Sequence, residues 1–201
     1  GCQVEAEWVV WIPGVVASLS LAIRSLSKHH DQVLTPDIAY PYFHSTPLAS
    51  GKQDNHLAMS YAQGRLRVDL EALEAHDAQA ARVMLFCNPQ NPGGAVYTQS
   101  ELERIDSYCE ANQLILVSDE IHADIILDKD KFHLPYLSVS DHALQNSITL
   151  GAASKAFNIA GLACSWAVIA NPSIRQAFIN EMHGIVSEIN PFGYTATLAA
   201  L

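Results

Sequence analysis

Residues 82–94 read RVMLFCNPQNPGG, and the fold turns on how that stretch is read. Arg82 to Cys87 is a short apolar run of the kind that forms a buried strand, and it stops in a loop, Asn88 to Gly94, holding two prolines and two glycines. Thr98 to Asn112 then predicts a helix. Thr98 can cap it, Glu101 sits at the capping-box position, and Leu102, Ile105 and Cys109 share one face. Leu114 to Val117 (LILV) is again a buried strand, with Ser118-Asp119-Glu120 at its carboxyl end. Strands that alternate with helices in this way make a mainly parallel sheet.

The pattern extends outward on both sides. Trp8 to Ile12 (WVVWI) reads as a strand, stopped by Pro13-Gly14, and Val15 to Leu26 carries apolar residues at helical spacing. Strand, glycine turn and helix in direct succession leave the first helical N–H groups free to bind an anion. Gln32 to Leu34 predicts a short strand leading into an aromatic, proline-containing loop, Tyr40-Pro41-Tyr42-Phe43; Ser50 to Gln63 is polar with little pattern, and Leu70 to His76 reads as a short helix. Downstream, Ser147 to Leu150 and Trp166 to Ala170 read as strands, and Pro172 starts a long helix whose register continues to about the chain end. The expected fold class is α/β, a mainly parallel, mixed sheet sandwiched by helices. In such sheets ligands bind beyond the carboxyl ends of the strands. Gly14, Asn91, Asp119 and Lys155 each follow a different strand.

Composition narrows the function classes. The chain has 201 residues, 49% of them hydrophobic and 16% charged, a globular balance long enough for a substantial core. Eleven basic against 21 acidic side chains give a formal charge of −10, the wrong sign for a nucleic-acid partner. Pro13, Arg24 and Lys28 interrupt the apolar start, so no membrane span is expected. Cys2, Cys87, Cys109 and Cys164 form no CxxC pair; no metal centre or redox motif is expected, and they read as reduced, mostly buried thiols of a cytoplasmic protein. The chain begins Gly-Cys-Gln without Met, which reads as a trimmed or partial chain. His29, His30 and His183 carry no motif and are expected at the surface or in packing.

Taken alone, Lys155 in Gly151-Ala-Ala-Ser-Lys155-Ala-Phe-Asn-Ile-Ala-Gly-Leu162 is a surface lysine in a turn, or else a nucleophilic amine able to form a Schiff base. Asp119 alone is a strand-end or capping carboxylate. The absence of GxGxxG argues against a plain dinucleotide-binding domain. Three motifs in order change the balance: Asn88-Pro-Gln-Asn91-Pro-Gly-Gly94, Ser118-Asp119-Glu-Ile-His122, and Ser154-Lys155-Ala-Phe-Asn158-Ile-Ala-Gly161-Leu162. With them the chain resembles the fold-type I pyridoxal-phosphate enzymes of the class I/II aminotransferase superfamily. SDEIHADI, His133-Leu-Pro-Tyr136, AASKAFNIAGL, and WIPGVV followed by YPYF make it most similar to the cystathionine β-lyase branch, the C–S lyases of the MalY/PatB type.

That resemblance implies pyridoxal 5'-phosphate as cofactor, an amino acid as small-molecule substrate and a homodimer. Lys155 would hold the cofactor as a Schiff base and then act as base at the substrate's α-carbon. Asp119 would keep the pyridine nitrogen protonated, Asn91 would donate to the phenolic oxygen beside a loop fixed by Pro92, and Tyr40 would stack on the ring. Gly14, Val15 and Val16 would offer backbone N–H groups to the phosphate, with the Ser154 hydroxyl as a further donor. His122 stands where many aminotransferases have a tyrosine; a buried packing histidine and a catalytic one are both open readings.

Two departures bear on the phosphate site. Many family members have an arginine eight residues after the lysine and a serine three before it; here these are Ala163 and Ala152. That leaves phosphate binding dependent on the helix N-terminus and implies modest affinity. The arginine that grips a substrate carboxylate has no counterpart, Arg175 being in the wrong segment. Residues 1–201 are therefore expected to be the large cofactor-binding domain of a longer chain. The implied activity is α,β-elimination of a cystathionine-like amino acid to pyruvate, ammonia and a thiol. An aminotransferase uses the same residues, and a non-catalytic cofactor- or partner-binding domain is the alternative of another class.

Overall fold

A computed structural model describes residues 3–27 and 31–201. Cys2, Lys28, His29 and His30, on which readings were made above, lie outside the described residues. The strands are β1 (Val9–Ile12), β2 (Gln32–Pro36), β3 (Gln53–Leu57), β4 (Met59–Ala62), β5 (Arg65–Val68), β6 (Ala81–Cys87), β7 (Ile115–Asp119), β8 (Ser147–Gly151) and β9 (Ser165–Val168). The helices are α1 (Val15–Leu26), α2 (Tyr42–Ala49), α3 (Leu70–Glu74), α4 (Gln99–Ala111), α5 (Asp141–Gln145), α6 (Pro172–Met182) and α7 (Pro191–Ala200).

Seven strands form one sheet in the order β1-β9-β8-β7-β6-β2-β3, and β4 and β5 make a separate antiparallel ribbon. Neighbours from β8 through β3 are parallel, while β9 runs antiparallel to both β8 and β1. Every strand of the sheet except β9 therefore points the same way, which is the mixed, mainly parallel sheet expected from the sequence.

Both faces of the sheet are covered, and the strand period of two sorts the side chains between them. Along β6, Val83, Leu85 and Cys87 join a core with Leu19, Ile23, Ile174 and Phe178 of α1 and α6. The intervening Met84 and Phe86 join a second core with Leu102, Ile105 and Cys109 of α4. The alternation continues on β7, where Val117 belongs to the first core and Leu116 to the second. Cys87, Cys109 and Cys164 are free, buried thiols. Among the described residues, no helix is long and apolar enough to cross a membrane.

Two expectations need correction, and two stretches hold elements the sequence left unassigned. Tyr42 and Phe43 are not loop residues: they open α2, which forms despite Pro47 because Phe43, Thr46 and Pro47 are buried and the Thr46 hydroxyl donates to Tyr42 O at 2.6 Å. The polar stretch from Ser50 to Gln63 holds the edge strand β3 and the ribbon strand β4. β3 itself is polar up to Leu57 and pairs with β2 partly through side-chain hydrogen bonds, Asn55 Nδ2 donating to Gln32 Oε1, so no hydrophobic alternation marks the strand. Asp141–Gln145 forms a short helix that the sequence reading passed over. The long helix after Pro172 is two helices. Gly184 has φ of +75°, and Pro191 disfavours a helical Asn190, whose side chain instead caps α7 by accepting from Gly193 N.

Candidate active site

The carboxyl ends of β1, β2, β6, β7 and β8, with the amino end of β9, meet at one edge of the sheet. A cavity of about 300 Å³ opens there, lined by Gly14, Val15, Val16, Tyr40, Asn91, Asp119, His122, Ser154 and Lys155. All nine site residues singled out from the sequence thus share one space, although they come from five separate segments. Ala152 and Ala163, the two alanines noted above, line it as well.

Each wall has a local cause. α1 begins at Val15 without a side-chain cap on Gly14, so no side chain at its start competes for the first N–H groups. A Cβ on Gly14 would meet nothing within 4 Å, which marks open space beside that helix end. Asp119, the last residue of β7, is 6% exposed and accepts a hydrogen bond from Ile121 N–H at 3.2 Å. Burial pushes its carboxyl group up to about 6, with Glu120 adding to the rise and the Lys155 charge and the Ile121 N–H opposing it. His122 is half-buried, and burial together with the Lys155 charge lowers its pKa. Both effects favour its neutral form. Lys155 itself is exposed, in a turn that follows β8; the bland reading of its surroundings holds, but the turn faces the cavity.

The Asn88–Gly94 loop is held by a residue that the sequence reading passed over. Gln90 is buried, donates to Ile38 O at 2.8 Å and Asn91 O at 3.2 Å, and accepts from Gly93 N. It thereby links the Asn91 loop to the segment that carries Tyr40. Its place inside the NPQNPGG motif was the only signal. The Asn88-Pro89 and Asn91-Pro92 bonds are cis. Asn88 is buried too, donating its side chain to Leu134 O at 3.3 Å and accepting from Tyr97 N at 3.2 Å.

Glu120 turns away from the cavity. It accepts from the Ser118 hydroxyl at 2.8 Å and from Tyr136 N at 2.9 Å, and pairs with His133 Nε2 at 2.7 Å. The SDEIH and HLPY motifs therefore meet through this carboxylate, which fixes the return of the chain segment after β7. Arg175 donates to Ile169 O and Ala170 O at 2.7 and 2.9 Å, a structural position remote from the cavity lining. His183 is exposed at the end of α6. A second cavity of about 370 Å³ shares Asn91 and His122 with the first and adds Pro89, Val96, Ile125 and Leu127 to its walls.

Residues 1–201 match the family model described as Aminotransferase class I and II. The chain belongs to that family. Among curated relatives of this aminotransferase-family chain is cystathionine beta-lyase PatB of Bacillus subtilis (strain 168), 32% identical over 203 residues, covering 100% of this chain and 52% of the relative. Among solved structures, OvoB superposes with a TM-score of 0.96 and 38% identity, covering 100% of this chain and 53% of OvoB. Cystalysin of Treponema denticola, whose crystal structure contains a pyridoxal 5'-phosphate cofactor, gives a TM-score of 0.92 at 29% identity, covering 97% and 50%. The chain spans about half the length of the curated relatives it matches.

Proposed function

We propose that this chain is the cofactor-binding domain of a pyridoxal-phosphate-dependent C–S β-lyase that splits cystathionine-like sulfur amino acids into pyruvate, ammonia and a thiol. The observation that carries the reading is the convergence of an amine, a buried carboxylate, an amide, an aromatic ring and a helix N-terminus on one cavity at the carboxyl edge of the sheet. That donor set fits the cofactor group by group. The buried Asp119 asks for a positive partner such as a protonated pyridine nitrogen, and the uncapped start of α1 suits a phosphate.

When bound, pyridoxal phosphate supplies an electron sink conjugated to the substrate's α-carbon. Lys155 Nζ would hold the cofactor through its aldehyde carbon and, when free, would serve as the base for the substrate's Cα proton. Asp119 would keep the ring nitrogen protonated. Asn91 Nδ2 would donate to the phenolic oxygen, and Tyr40 would pack on the ring. The N–H groups of Gly14, Val15 and Val16 and the Ser154 hydroxyl bind the phosphate; Ala152 and Ala163 add no charge to that end. His122 stands between the two cavities, and the second, walled in part by Val96, Ile125 and Leu127, offers room for the departing thiol portion of the substrate. Loss of the Cα proton to Lys155 and departure of the β-substituent as thiolate, which takes up a proton to leave as thiol, balance the elimination; the released aminoacrylate then takes up one water to give pyruvate and ammonia.

The lyase reading is supported by relatives named as cystathionine beta-lyases from Bacillus subtilis and Corynebacterium glutamicum at 32% and 33% identity, against 28% for an alanine aminotransferase of Mycobacterium bovis. The test is to incubate the full-length enzyme with cystathionine and assay pyruvate and free thiol. Both should appear together. Amino transfer that requires a keto acid and releases no thiol would identify an aminotransferase instead, and neither reaction in a cofactor-loaded protein would leave a binding domain without turnover.

A further inference from the structure

Away from the cavity, α2 and the edge strand β3 bring together three side chains that carry no sequence motif. His44 Nδ1 and His56 Nε2 each lie 2.9 Å from the same oxygen, Oδ2 of Asp54, and all three atoms lie within 4.8 Å of one another. Asp54 is buried, His44 is partly covered, and His56 is half open to solvent. Two further groups orient the trio. Thr35 of β2 donates its hydroxyl to the other Asp54 oxygen, and Asp37 Oδ1 lies 3.2 Å from His56 Nδ1.

His56 consequently has a carboxylate oxygen against each ring nitrogen, while a neutral imidazole has only one N–H to offer. If Asp37 accepts from Nδ1–H, Nε2 faces Asp54 Oδ2, and either a second ring proton or a bound cation between them satisfies both. A carboxylate on the far nitrogen of a histidine is the outer-shell arrangement that fixes a metal-binding tautomer. Zinc bonds of about 2.0–2.2 Å in a tetrahedron set ligand atoms about 3.3–3.5 Å apart, against 2.9 Å for the two contacts to Asp54 Oδ2 and no more than 4.8 Å between any two of the three atoms. The 2.9 Å contacts need to open by only about half an ångström, and His56, on an exposed edge strand, can move that far.

We propose that His44, Asp54 and His56 form a site for one divalent first-row transition-metal ion of the zinc class, with Asp37 and Thr35 as outer-shell partners and water completing the coordination. Two imidazoles and a carboxylate favour such an ion over calcium or magnesium, which prefer all-oxygen shells. The ion joins α2 to β3. Because α2 starts two residues after Tyr40, it also anchors the segment that carries that ring to the cavity.

The experiment is titration of the chelator-treated full chain with cobalt(II), followed by visible absorption, and with zinc, followed by calorimetry and thermal unfolding. One cobalt per chain with the d–d bands of nitrogen and oxygen ligands is expected, and zinc should raise Tm. His44→Ala with His56→Ala should abolish both effects, and Asp37→Asn, at an exposed position that leaves the fold unchanged by circular dichroism, should weaken binding about 10–100-fold. Thiolate-to-cobalt charge transfer would place the ion on cysteine. That result, equal affinity in the double variant, or no binding by a folded chain, would overturn the proposal; in the last case the trio is a proton-bridged cluster only.

Discussion

Asp119 and Glu120 are consecutive buried carboxylates that face opposite ways from the end of β7: Asp119 into the cavity, Glu120 into the contacts with Ser118, His133 and Tyr136. The strand's period of two separates them, one carboxylate for chemistry and one for holding the backbone that presents it. Their hydrogen bonding differs accordingly. Glu120 accepts from two side chains and one backbone N–H, whereas Asp119 accepts from Ile121 N–H and faces the open side.

Asp119 should therefore destabilise the cofactor-free protein at neutral pH. Its folded value is raised from 3.8 to about 6, so between those values the folded chain binds a proton that the unfolded chain has released. Stability falls as pH rises through that window, by about 3 kcal/mol in all. Asp119→Asn should flatten the loss and stabilise the cofactor-free chain at pH 7.5 while weakening cofactor binding. Urea unfolding at pH 4.5 and 7.5 compares the two proteins; an equal pH dependence in both would contradict the assignment.

Glu101 does more than close the capping box with Thr98. Its two oxygens receive both terminal nitrogens of Arg65 at 3.0 and 2.8 Å, Arg67 Nε approaches at 3.2 Å, and Thr98 N donates at 2.8 Å. Burial alone would raise its carboxyl group, but the Arg65 and Thr98 hydrogen bonds outweigh that and hold it below the usual range. The stability it contributes is present above the unfolded carboxylate value and disappears as pH falls through the lowered folded one. Glu101→Ala should cost about 2–3 kcal/mol at pH 7, through the lost cap and the unpaired Arg65, and much less at pH 3. Denaturant midpoints at the two pH values measure the difference.

Gly151 ends β8 opposite Trp166 of β9, and a Cβ there would lie 2.6 Å from Trp166 Nε1 and 2.8 Å from Cε2. Gly151→Ala must displace the indole, which also packs edge-on against Trp11. The expected cost is about 1–3 kcal/mol, read as a lower Tm with a changed tryptophan emission spectrum. Unchanged emission and stability would mean that this close approach does not constrain β8 and β9.

Removing the Gln90 link should loosen the cofactor site without unfolding the protein. Gln90→Leu leaves Ile38 O and Gly93 N without that partner, and the Asn91 and Tyr40 segments lose their shared tie. Retention of pyridoxal phosphate through gel filtration should fall about tenfold, a difference of about 1.4 kcal/mol, with far-ultraviolet circular dichroism unchanged. Full retention would show that the loop holds its shape by its prolines alone.

The sheet and the site were legible in the sequence for one physical reason: strands buried on both faces are continuous apolar runs, and the chemistry sits in the first few residues after each. RVMLFC, LILV and Gly151 to Lys155 all show this. What stayed hidden was structure built from polar pairs or set by distant burial. β3 is an edge strand whose own residues are polar up to Leu57, and α2 contains a proline. The break at Gly184 was overridden by apolar spacing on either side, although Asn190-Pro191 marked a helix start. The His44, Asp54 and His56 cluster could not be read from spacing, because its members come together only through α2 and β3.

Lys155 remains the residue on which the account depends. Reducing the full-length protein with borohydride in the presence of pyridoxal phosphate, then mapping its peptides by mass, tests it directly. The account predicts one covalent pyridoxyl adduct per chain, on Lys155, absent from Lys155→Ala; an adduct on another lysine, or none, would contradict it.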